Sequence, residues 1–112
     1  MKHGIYNRSF QIIYESLSNE PRIKKAFLYG SRALGNAKKG SDIDIAICGK
    51  NITQEIINKI STKLNQEAPI PYFIDIINYN SISNQELKKH IDKHGVTIFE
   101  REKSNSARHL KV

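Results

Sequence analysis

The stretch LYGSRALGNAKKGSDIDIAI, Leu28–Ile47, closes one apolar run on a Gly-Ser step and sets two aspartates inside the next. The second run, SDIDIAIC, alternates and is rich in β-branched residues, which predicts a strand with one buried face. Side chains two apart on a strand point the same way, so Asp42 and Asp44 share a face, about 6.5–7 Å apart along the backbone. Ile43, Ile45 and Ile47 take the opposite face and bury. The first run, IKKAFLYG, is a short strand ending at Gly30. About ten residues separate the two strands, and a parallel crossover usually needs a dozen or more. The strands are therefore expected to be antiparallel neighbours, which brings Gly30 and Ser31 beside Asp42 and Asp44.

Outward from this pair, YNRSFQIIYESLSNE places Phe10, Ile13, Tyr14 and Leu17 on one helical face, with Asn7 or Ser9 as the cap and Pro21 beyond the end. NITQEIINKISTKLNQ groups Ile56, Ile57, Ile60 and Leu64 on a second helix capped by Thr53. Pro69 and Pro71 end the connection before a third strand, YFIDIIN, in which Asp75 alternates with Ile74 and Ile76. Ser83 with Glu86 has the spacing of a capping box ahead of Leu87 and Ile91, Gly95 suits the helix end, and VTIFE reads as a last strand. The expected fold is α+β, a two-layer domain of order α-β-α-β-α-β-α-β, its small mixed sheet covered by helices on one face. An exposed edge of so small a sheet leaves pairing between chains, as a homo- or hetero-oligomer, open.

At 112 residues the chain is one domain. We place it at residues 1–100, with a basic, mobile tail at 101–112. The formal charge of +7 invites a nucleic-acid partner. The remaining lysines, however, come in scattered pairs, Lys24-Lys25, Lys38-Lys39 and Lys88-Lys89, with no aromatic platform beside them, and nucleic acid is not the expected partner. No apolar run suits a membrane span or a secretory signal, and the single cysteine, Cys48, reads as a small apolar residue in a reducing cytoplasm.

Pairing of the second and third strands would converge Asp42, Asp44 and Asp75 on one spot. Three unpaired carboxylates raise one another's pKa and repel, and a hard divalent cation, magnesium or manganese, removes that repulsion. A glycine turn lets backbone approach a ligand closely, and its amides with the Ser31 hydroxyl form an anion pocket suited to phosphate. Phosphate donors beside metal-bearing carboxylates describe phosphoryl or nucleotidyl transfer. His90 and His94, four residues apart on a helix, have no third metal ligand at a recognisable spacing and read as a solvated face.

Gly30-Ser31, ten residues, then Asp42-Ile43-Asp44, within LYGSRALG and GSDIDIAI, resembles the signature of the minimal nucleotidyltransferases of the polymerase-beta-like superfamily. Asp75 stands where that family's third acidic residue is expected; Leu34 departs from it, at a position often basic. The resemblance covers residues 5–100. It implies a nucleotidyltransferase fold, magnesium, and a nucleoside triphosphate, usually ATP. Asp42, Asp44 and Asp75 would be catalytic and hold metal, and Gly30, Ser31, Arg32 and Ser41 would bind nucleotide. Stand-alone chains of this type resemble antitoxins that transfer AMP to a tyrosine of a HEPN ribonuclease toxin. Neutralisation by binding alone, or transfer to a small molecule such as an aminoglycoside, are the rival readings.

Overall fold

The computed structural model describes residues 2–101. In chain order the elements are α1 (Asn7–Ser18), β1 (Ile23–Tyr29), the one-turn α2 (Ser31–Leu34), β2 (Ile43–Gly49), α3 (Gln54–Thr62), β3 (Ile74–Asn78), α4 (Gln85–His94) and β4 (Val96–Glu100). The sheet order is β3-β2-β1-β4. β1 runs antiparallel to β2 and β4, whereas β2 and β3 are parallel and joined by the crossover through α3. The α+β class, the element order and the antiparallel β1–β2 pair are as the sequence predicts.

Alternation sorts the sheet into two faces. Ile43, Ile45, Ile47 and Ile74 are fully buried against Ile13 and Leu17 of α1 and Ile56, Ile57 and Ile60 of α3. Each such isoleucine contributes about 1.5–3 kcal/mol through apolar burial. The one-face expectation holds for α1 and α3 but not for α4. Leu87 and Ile91 of α4 pack on Phe27, Tyr29, Ala46 and Ile77, the residues that share the other face with Asp44 and Asp75. That second face is only partly covered, leaving Asp44 half-buried and Asp75 exposed.

The helix ends separate what local sequence can and cannot specify. Thr53 caps α3 as expected, its hydroxyl accepting the Ile56 N–H. At α4 the cap is Asn84 rather than Ser83: the helix begins one residue later, and the Asn84 side chain accepts the Leu87 N–H. α1 starts after Tyr6 with no side-chain cap, and Ser9 is buried within it. Gly95 ends α4 at an ordinary φ of −61°; glycine is needed there because a Cβ would stand 2.5 Å from the Ile91 carbonyl oxygen.

Asn65, in the widened turn that follows α3, fastens the edge strand β3. Its side-chain amide donates to the Ile74 carbonyl and its carbonyl oxygen accepts the Ile74 N–H, both at 2.8 Å. The side chain thus stands in for a neighbouring strand immediately before Asp75. Asn65→Ala leaves both groups unmatched and is expected to lower stability by about 2 kcal/mol in chemical denaturation.

Arg101, assigned by composition to the tail, is docked on the body. Its guanidinium donates to the carbonyls of Ser18, Glu20 and Ile23. The rest of the expected mobile tail, 102–112, lies outside the described residues.

Candidate active site

β1 delivers Tyr29 and then Gly30 to the end of the sheet where β2 begins. Tyr29 pairs with Asp44 across the β1–β2 ladder, and Asp44 pairs with Asp75 across the β2–β3 ladder. In-register residues of adjacent strands lie on one face at about the 4.8 Å strand spacing, so the two carboxylates stand side by side. Asp75 is exposed, on an edge strand; Asp44 is partly buried beside it. Asp42 lies one residue before β2 and is exposed, close enough for its charge to act on Asp44. The three are neighbours, but among the described residues no three acidic, histidine or cysteine side chains are drawn into a ready-made metal cage.

Burial pushes the Asp44 carboxyl above the usual carboxylate range, the charges of Asp75 and Asp42 push it further, and Arg32 pulls the other way. Burial likewise raises the Tyr29 hydroxyl, with Asp44 and Asp75 adding to the effect. Burial leads both shifts, and the acidic neighbours add to each.

Gly30 adopts φ +77° and ψ −153°, a region that glycine alone enters freely. A Cβ here would lie 2.6 Å from Oδ2 of Asp44. The missing side chain is therefore what lets the turn and the carboxylate touch. Ser31 follows as the first residue of α2. Its carbonyl accepts the amides of Gly35 and Asn36, and its hydroxyl has no partner among the described residues.

Two expected nucleotide contacts are placed otherwise. Arg32 is only 3% exposed, and its guanidinium donates to the backbone carbonyls of His3, Gly4, Ser41 and Asp42 while stacking on Tyr72 at 4.8 Å. It ties the N-terminal segment to the backbone leading into β2, and so sets where Asp42 stands. The Ser41 hydroxyl accepts the Lys38 N–H and closes a turn. Lys38 and Lys39 line a cavity of about 650 Å³ with His3, Tyr6, Arg32 and Tyr72, and none of the three aspartates is in its lining. A lysine has neither the planar fork nor the donor count for four carbonyls. Arg32→Lys is accordingly expected to cost about 2 kcal/mol in a denaturation series.

His90, expected on a solvated face, is half-buried against the glycine turn. Its Nε2 accepts the Gly30 N–H at 2.9 Å, and its ring lies edge-on to Tyr29. The available signal was its helical phase: three residues after Leu87 and one before Ile91, it belongs to the inward side of α4.

The family model described as polymerase beta, nucleotidyltransferase, matches residues 11–104. The chain belongs to the polymerase beta nucleotidyltransferase family. No curated protein matches the sequence of this nucleotidyltransferase. Among solved structures, its fold is similar to a chain of a mutant MntA toxin–antitoxin complex, with a TM-score of 0.66 at 16% identity over 91% of this chain and 81% of that one. A toxin–antitoxin structure with AMP-PNP gives 0.62 at 20% identity, covering 95% and 83%. A complex of tri-AMPylated HEPN toxin with MNT antitoxin from Shewanella oneidensis gives 0.63 at 18% identity, covering 93% and 80%. At these identities the likeness establishes that the nucleotidyltransferase shares their fold. Among its described residues, no helix is long and apolar enough to cross a membrane.

Proposed function

We propose that this nucleotidyltransferase moves AMP from ATP to a tyrosine of a HEPN-type ribonuclease and is the cytoplasmic antitoxin of that toxin. The observation that carries the transfer chemistry is the in-register pair Asp44–Asp75 set against the Gly30 turn. Support for the acceptor comes from the neighbouring folds, which include a toxin–antitoxin pair with AMP-PNP and a HEPN toxin carrying AMP beside its antitoxin.

The donor set fits magnesium or manganese. Two adjacent hard carboxylates with Asp42 beside them, and no counter-charge from an ion pair among the described residues, are what such an ion takes, since it is commonly held by one or two carboxylates together with substrate phosphates. Asp42 and Asp44 would hold it, with Asp75 completing the set; when bound, it supplies charge neutralisation and orientation at the triphosphate. Ser31 grips the β/γ phosphates through its amide and hydroxyl. Asp75, on the open edge strand, faces the acceptor and takes the proton from the tyrosine hydroxyl. The phenolic oxygen bonds to the α-phosphorus as the bond to the pyrophosphate oxygen breaks, and pyrophosphate leaves. Arg32 acts by holding the Asp42 backbone and makes no phosphate contact. Positioning and electrostatics carry the catalysis, with no covalent enzyme intermediate.

Incubation with α-labelled ATP, magnesium and the HEPN partner is expected to place label on a partner tyrosine and to relieve RNA cleavage. A stable complex that silences the ribonuclease without label would replace this reading with neutralisation by binding alone.

A further inference from the structure

We infer that His90 is a positioning residue for nucleotide binding: from α4 it holds the glycine turn in the conformation that admits the Asp44 carboxylate. The inference rests on the proposed nucleotidyl transfer. Glycine has many backbone conformations open to it, so Gly30 does not hold φ +77° by itself, and α2 beyond it is a single turn with little stiffness of its own. Its N–H points away from the sheet ladder and donates to His90 Nε2, sixty positions along the chain. Accepting at Nε2 puts the ring proton on Nδ1. Leu87 and Ile91, on either side of His90, are packed on the sheet, so the imidazole is delivered from a fixed helix face.

Two consequences follow. The Gly30 amide is engaged by the protein itself, so phosphate must be met by Ser31 and not by the glycine N–H. The tether also fixes the gap between the turn and Asp44, where a single Cβ would already collide. Loss of the acceptor releases the Gly30 peptide to rotate, which disturbs the phosphate grip before it disturbs chemistry at the α-phosphorus.

The test compares His90→Leu, which fills similar space without an acceptor, with His90→Gln, whose amide oxygen restores one. Hydrogen exchange at the Gly30 amide and steady-state transfer from ATP are measured on the full chain. His90→Leu is expected to accelerate Gly30 exchange and raise KM for ATP, each about tenfold, the cost of one buried hydrogen bond, with kcat within about threefold. His90→Gln is expected to return both toward wild type. Unchanged exchange or unchanged KM in His90→Leu, with wild-type transfer intact, overturns the tether alone. Absence of transfer by the wild-type protein overturns instead the function on which it rests.

Discussion

Asp44→Asn is expected to lower AMP transfer by about a thousandfold while leaving the fold intact. Asp44 is the central member of the acidic group, flanked by Asp75 across the parallel ladder and by Asp42 upstream, and it alone touches the Gly30 turn. Asn keeps the shape but removes the charge that would hold a cation. The same substitution has the opposite effect on the protein without added metal. The Asp44 carboxyl is raised in the folded chain, first by burial and then by its acidic neighbours. A carboxyl raised on folding stabilises the fold below the ordinary carboxylate range, and that stability is lost as pH rises through the raised value. At pH 7 the wild-type chain therefore carries a destabilising charge that Asn lacks. Thermal melts without divalent cation should show the variant at the higher midpoint. With magnesium and ATP the wild type should gain and the variant should not. A variant that retains transfer, or a wild type whose midpoint ignores magnesium and ATP, contradicts the assignment.

Gly30→Ala is expected to cost at least about a hundredfold in transfer, with a stability loss of about 1–2 kcal/mol. Two independent effects coincide. The φ of +77° is strained for alanine, and its methyl would meet Asp44 Oδ2 at 2.6 Å. The carboxylate is the mobile end of a side chain and can swing aside, so the chain still folds. That escape moves the very oxygen that would hold the cation, and activity falls further than stability. Serine at the same position should behave as alanine does. Full transfer by Gly30→Ala at unaltered KM would show that the turn does not set the carboxylate.

The strands and their pairing were legible because period-two alternation in SDIDIAIC and a connection of about ten residues leave little choice of face or direction. The shared face of Ile43, Ile45 and Ile47 was legible for the same reason, as was the Thr53 cap, whose partner lies three residues away. The burial of Arg32 is not legible, because a sequence displays charge and hides the interior. A guanidinium next to Gly-Ser suggests phosphate, yet four backbone carbonyls from two distant segments satisfy it in the interior. His90 reads as part of a solvated helix face because its partner, the Gly30 N–H, lies sixty positions away in the chain.

By itself the sequence determined which residues share a strand face, that β1 and β2 are antiparallel, and hence that Gly30 meets Asp44. Each of these follows from alternation or short chain reach. Only the tertiary structure decided that β3 enters parallel with Asp75 level with Asp44, that Asn65 holds the start of that strand, and that α4 crosses the acidic face to set His90 on Gly30. Those contacts join segments nine to sixty residues apart through three hydrogen bonds and one ladder register, and local propensity carries no record of such pairings.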